Sequence, residues 1–381
     1  MTNLELCRAL ALQGKSAERP ATAVAAIAAC GLLLATGVAG CGGSSSTSSQ
    51  TTTGATATLR DAAQKHSLLV GAAVDSNHLS ETLYASTLAR EYSQLEPENE
   101  MKFVAVHPDP TTYNFAGPDA LVAFAKSNSM QVRGHTLVWH NALPTWITSP
   151  ATPWTAVTLS QVLQDHIASV VGHYKGEVYA WDVVNEAFND DGSMRSTIWY
   201  DSPGIGFAGQ GTKYIEQALL WAHGADPAAK LFVNEYGAET MNAKSDAVYA
   251  MAQDFVARSV PLRGIGMQLH IDTNFDTQAN LASLAQNIQR LGALGLEVQF
   301  TEVDVRLPDD SATSLAAQAQ AYQDLMKVCL ANKACTGFQT WGFTDKYSWI
   351  PSFFTGYGWA LPFDDNYGKK PAYTALVNSL Q

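Results

Sequence analysis

The chain has 381 residues, 46% of them hydrophobic, and a formal net charge of −12. That length and apolar content support one barrel-sized domain or two smaller ones. The acidic balance excludes a nucleic-acid partner, because nothing here neutralises a row of phosphates, and it suits a neutral ligand.

The N-terminus reads as a targeting segment. Arg8, Lys15 and Arg19 precede "ATAVAAIAACGLLLATGVAG" (residues 21–40), an apolar, uncharged run long enough for a signal-peptide core and its cleavage site. It ends in Val38-Ala39-Gly40-Cys41, which resembles a bacterial lipobox. Residues 1–40 are therefore expected to be removed and Cys41 to be lipidated, giving an exported lipoprotein of the periplasm or cell surface. Such a protein would touch the membrane only through its N-terminal lipid. Plain secretion and an uncleaved anchor are the alternatives. Residues 41–58 are rich in Ser, Thr and Gly, carry no charge and read as a flexible tether. Residues 59–381 read as a single domain, expected to be a monomer.

Cys7 and Cys30 lie in the targeting segment, which leaves Cys329 and Cys335 in "KVCLANKAC". Export favours a local disulfide there, contributing about 2–3 kcal/mol at most because the loop is short. Two free thiols are the alternative.

Within the domain, short β-prone runs alternate with longer helical patterns. Strands are predicted at 68–74, 94–101, 131–139, 178–186, 230–236, 264–271, 297–305 and 337–345. Apolar residues spaced by three and four mark helices at 159–175 and 245–260. Ser160, Asn280 and Ser314 are candidate helix starts, and Gly295 a candidate stop. Eight strand–helix units predict an α/β fold, a (β/α)8 TIM barrel.

Polar residues gather at the C-terminal ends of these strands. They are Glu98, Asn99, Glu100 and Lys102; His135, Trp139 and His140; Asn185 and Glu186; Asn234, Glu235 and Tyr236; Gln268 and His270; Glu302 and Asp304; and Trp341. In a barrel those ends meet at one face, where active sites are built. Glu186 and Glu302 each end a mostly apolar strand, on the fourth and seventh of eight. A facing pair of carboxylates is the working part of most glycosidases: one protonates the leaving oxygen while the other, ionised, attacks the anomeric carbon. His270 can hydrogen-bond Glu302 and hold it ionised, and Asp304 can fix that histidine. Asn185 is placed to hold a sugar hydroxyl. Glu302 is therefore read as nucleophile and Glu186 as general acid/base. No HExxH, GxSxG, P-loop or GxGxxG pattern is present, and neither a catalytic metal nor a cofactor is expected.

Longer motifs carry a resemblance. "ENEMKF" (98–103), "RGHTLVWH" (133–140), "WDVVNEAF" (181–188), "FTEVDV" (300–305), "WGFTDKYSW" (341–349) and "GKKPAY" (368–373) occur in this order. Together they resemble glycoside hydrolase family 10, the endo-β-1,4-xylanases, across the whole domain. The resemblance implies a retaining double displacement on xylan and xylo-oligosaccharides. A glucanase or a non-catalytic xylan-binding barrel are the competing readings. It also implies Glu186 as acid/base, Glu302 as nucleophile and His270 as the nucleophile's partner. Sugar contacts are implied at Glu98, Asn99, Lys102, His135, Trp139, Asn185, Gln268, Trp341 and Trp349, to which Tyr236 is added from its strand end. The Cys329–Cys335 spacing is similar to a disulfide of the family. Departures from the family pattern fall at Phe103, Ala142 and Phe232, and in the middle of residues 348–364. Phe232 takes a position of a second family disulfide, so one disulfide is expected.

Overall fold

The computed structural model describes residues 57–381. The predicted signal segment, Cys41 and most of the predicted tether lie outside the described residues. Eight parallel strands close a ring: β1 (Leu69–Val74), β2 (Gln94–Pro97), β3 (Gln131–Val138), β4 (Ala180–Asn185), β5 (Lys230–Glu235), β6 (Gly264–Met267), β8 (Glu297–Arg306) and β9 (Cys335–Thr340). Each pairs with its neighbour, β9 pairs with β1, and β6 pairs directly with β8. A three-residue strand, β7 (His270–Asp272), lies along the C-terminal end of β8. The main helices follow the barrel strands: α1 (Thr82–Glu91), α2 (Ala116–Ser127), α3 (Ala156–His173), α4 (Lys213–Ala225), α5 (Ala243–Ala257), α6 (Gln278–Ala293), α7 (Ala312–Ala331) and α8 (Pro371–Ser379).

The eight-unit expectation holds, with two local corrections. The strand predicted over 264–271 is broken, because Leu269 takes a left-handed φ of 61° and splits β6 from β7. The break turns the chain between Gln268 and His270. The helix starts also move. Thr155, Thr277 and Ser311 are the caps, and the amides of Asn280 and Ser314 donate to the hydroxyls of Thr277 and Ser311. Asn280 and Ser314 therefore sit inside the first turn, three residues past the cap that an oxygen-bearing side chain satisfies. Gly295 follows α6 with φ 82°, as expected of a helix stop.

Two layers of different chemistry surround the strands. Outside the ring, Leu163, Ile167, Val170 and Val171 of α3 join Val132, Trp181 and Val183 in one buried apolar core. Gly134 makes this possible, since a Cβ there would lie 2.3 Å from the Trp181 ring. Inside the ring the filling is polar. Arg133, Asp182, Glu96, Gln299 and Gln339 are almost wholly buried, and Arg133 stacks over the Phe232 ring at 4.5 Å. Buried charges need partners, and here the partners are one another. Cys329 and Cys335 form a disulfide, the one such bond among the described residues.

Candidate active site

The C-terminal ends of the strands surround a narrow cleft. Lys102, His135, Trp139, Asn185, Glu186, Gln268, His270, Glu302, Trp341 and Trp349 line it. All of these were named from sequence. Larger hollows lie elsewhere on the surface, such as one around Arg60 and Gln131, but none gathers opposed carboxylates.

Glu302 sits in β8 and is 4% exposed. Its Oε2 meets Nε2 of His270 at 2.9 Å, and its Oε1 accepts from Nδ2 of Asn234 at 2.7 Å. Nδ1 of His270 lies 2.7 Å from Oδ2 of Asp304, an oxygen that also accepts from the Trp349 indole at 2.9 Å. Asp304 is fully buried and does not line the cavity. It fixes the ring of His270 and the indole of Trp349 together. Burial disfavours a charge on His270, but Asp304 and Glu302 outweigh it and push its pKa up to about 10. An imidazolium therefore stands against Glu302 throughout the neutral range.

Glu186 follows β4 with a left-handed φ of 58°. That conformation costs a non-glycine residue about 1 kcal/mol or more. It is held from both sides: the Glu186 amide donates to Asn234 O at 2.9 Å, and its carbonyl accepts from Nε of Arg195 at 2.8 Å. The side chain accepts from Gln268 at 3.2 Å and from Asn185 at 3.3 Å. Burial pushes the Glu186 carboxyl up, yet His140, the Trp139 indole N–H, Arg195 and Gln268 together hold it below the ordinary glutamate value. His140, 3.9 Å away, is itself pushed down by burial to about 4, so it lends a charge only in acid. Nearer neutrality the support comes from the indole, Arg195 and Gln268. Sequence reasoning expected a carboxyl ready to carry a proton; in the open site the direction is the opposite.

The two carboxylates are joined by an amide bridge. Asn234 donates through Nδ2 to Oε1 of Glu302 and to Oδ1 of Asn185 (2.9 Å), and Asn185 donates to Glu186. Thr301 donates to Oδ1 of Asn234 at 2.7 Å and fixes the amide's orientation. Gly266 leaves the room, since a Cβ there would lie 2.2 Å from that oxygen. Asn234 stood at a strand end in the sequence but was given no role of its own; its signal was Gly266, its partner on the neighbouring strand. Arg195, between β4 and α4, was missed altogether.

The remaining predicted contacts sort by position. Lys102 points into the cavity, its Nζ 5.4 Å from the Trp139 ring centre and 5.5 Å from that of Trp341. Asn99 and Glu98 do not line the cavity but stand behind Lys102, Asn99 accepting from it at 2.9 Å. Burial lifts Glu98 to about 7 against the pull of Lys102. Tyr236 also lies outside the lining. Its hydroxyl accepts from Arg195 at 2.8 Å, and Nζ of Lys244 sits 3.6 Å from its ring centre. Glu96, His135 and Asp182 bring possible metal ligands within 4.8 Å of one another, but Arg133 already binds both oxygens of Asp182.

Residues 58–379 match the sequence profile of glycosyl hydrolase family 10. The chain belongs to this family. It is 43% identical over 323 residues to endo-1,4-beta-xylanase B of Thermotoga neapolitana, covering 84% of this chain and 90% of that protein. It is 40% identical over 316 residues to endo-1,4-beta-xylanase A of Phanerodontia chrysosporium, covering 82% of this chain and 74% of that one. Among solved structures, xylanase 10B of Thermotoga petrophila in complex with xylobiose superposes with a TM-score of 0.79 at 44% identity. That alignment covers 85% of this chain and 97% of the other. A family 10 xylanase of Gloeophyllum trabeum gives 0.78 at 38% identity, covering 86% and 99%.

Proposed function

We propose that this chain is an endo-1,4-β-xylanase that cleaves xylan with retention of configuration. The observation that carries the reading is that Glu302 and Glu186 share one cavity, with His270 set on Glu302 and held from behind by the buried Asp304. Glu302, hydrogen-bonded by His270, attacks the anomeric carbon. The glycosidic C–O bond breaks, and Glu186 gives its proton to the leaving oxygen. Water then attacks the glycosyl-enzyme, Glu186 takes the water's proton, and Glu302 leaves. Glu186 gains its proton readiness in the complex, where a bound chain strips water from it and adds to the burial that pushes its carboxyl up. Asn185 and Gln268 offer amides, and Lys102 an ammonium, to sugar hydroxyls. Trp139, Trp341 and Trp349 supply flat walls for pyranose rings. Indole beside C5 admits xylose more readily than a sugar with a hydroxymethyl group there.

Incubation with unbranched xylan, carboxymethylcellulose and mixed-linkage glucan, with new reducing ends measured, tests the reading. Xylan should yield short oligosaccharides at a rate at least tenfold above either glucan. Equal or greater glucan cleavage would make the chain a glucanase, and binding to xylan without new ends would make it a binding protein. We also propose export with a lipid on Cys41, from the lipobox-like Val38–Cys41. Labelling of expressing bacterial cells with a radioactive fatty acid should mark the protein, and Cys41→Ala should abolish the mark.

A further inference from the structure

The barrel interior beneath the cavity sets two acids against one permanent cation, Arg133. Glu96 of β2, Arg133 and His135 of β3, and Asp182 of β4 are all at most 2% exposed. Arg133 grips both oxygens of Asp182, through Nε to Oδ2 at 3.0 Å and through Nη2 to Oδ1, and gives Nη1 to Gln299 at 2.9 Å. Nδ1 of His135 meets the same Oδ2 at 3.0 Å. These contacts commit three of the guanidinium's five N–H groups, and Arg133 approaches Glu96 at 3.7 Å, beyond hydrogen-bond length. One oxygen of Glu96 accepts from Gln339 of β9, while Oε1 makes no hydrogen bond among the described residues. That oxygen lies 3.2 Å from Nδ1 of His135, beside the contact between His135 and Asp182.

We propose that Glu96 is a positioning residue: a neutral carboxylic acid under the cavity whose proton lets Asp182 keep both Arg133 and Nδ1 of His135, so that His135 faces the substrate from a fixed ring. A second carboxylate in this dry interior would have no full partner, and an under-partnered buried charge is strongly disfavoured. The elements around Glu96 agree. β3 offers Arg133 and His135, β4 offers Asp182, β8 offers Glu302 and β9 offers the amide of Gln339, while Ala73 of β1 pairs with it and brings no charge. Burial is the main force raising its pKa, followed by Asp182; Arg133 opposes, and Glu302 adds to the rise. Once the proton leaves, Glu96 competes with Asp182 for Arg133 and for the Nδ1 hydrogen. His135, which lines the cavity, loses its anchor. The consequence is a KM that climbs in alkali, separate from the loss of kcat that ionisation of a general acid brings.

This inference rests on the glycosidase reading for its kinetic half only. The direct test is infrared difference spectroscopy of the intact protein across the alkaline range. A protonated-carboxyl carbonyl band should persist at neutral pH, vanish in alkali, and be missing from Glu96→Gln. KM for an aryl xylobioside should rise by up to about tenfold per pH unit past the same midpoint, the slope of a single ionisation. Glu96→Gln should flatten that rise, and Glu96→Asp, still an acid, should keep it. Absence of the band from the parent protein at neutral pH would overturn the proposal, and so would a KM rise that Glu96→Gln leaves in place. A band that behaves as expected in a protein inactive on every xyloside would refute the glycosidase reading and leave the protonated acid established.

Discussion

Nε2 of His270 stands 2.9 Å from Oε2 of Glu302, while its other ring nitrogen stands 2.7 Å from Asp304. One imidazole thus bridges two buried carboxylates and raises its own proton affinity. It couples the ionisation of the site to the stability of the fold.

That coupling has a sign. The folded pKa of His270 is about 10, against about 6.5 for a free histidine. The folded state binds the proton more tightly, so the stabilisation is complete below about pH 6.5 and is lost as pH rises through about 10. The amount is roughly 5 kcal/mol at most, reduced by any relaxation of the site. Urea unfolding from pH 6 to 10.5 should show falling stability in the parent protein and a much flatter profile in His270→Asn. Parallel profiles would remove the imidazolium from the site.

Glu186→Gln keeps the shape of the side chain and removes its proton. Xylan hydrolysis should fall by about 10³-fold or more, because a sugar leaving group needs protonation. An aryl xylobioside with a good leaving group should still show a rapid first turnover in stopped-flow absorbance, followed by slow release. The alkaline limb of kcat that Glu186 brings should disappear with it. Equal losses on both substrates would contradict the acid/base role.

The bond between Cys329 and Cys335 closes a loop with a sequence separation of 6, joining the end of α7 to the start of β9. So short a loop restricts the unfolded chain by only about 2 kcal/mol. The double substitution to serine should lower the unfolding free energy by that order in denaturant titration. Turnover should stay within about twofold, since neither cysteine lines the cavity.

The sequence made most of the cavity lining legible because polar residues gather toward the strand ends that a closed barrel brings together, while Trp349, nine residues past the last barrel strand, was legible only through the motif "WGFTDKYSW". It hid what depends on side chains meeting across the ring. Asn234 bridges the two acids because Gly266 has no side chain and Thr301 fixes the amide, relations among three strands that no local pattern displays. The low proton affinity of Glu186, held against its burial, arises from His140, Trp139 and Arg195, brought in from other segments. The break at Leu269 was invisible because a left-handed leucine leaves no mark in the hydrophobic pattern. The helix starts were misplaced within runs of Ser, Thr and Asn, where several neighbours could cap and geometry chooses one.

A 2-deoxy-2-fluoro xylobioside with a good leaving group forms a glycosyl-enzyme faster than water removes it, so the attacking residue can be read by peptide mass spectrometry. One xylobiosyl adduct per chain, carried on Glu302, is the expected result. An adduct on Glu186, or active turnover with no adduct on either carboxylate, would contradict attack by Glu302.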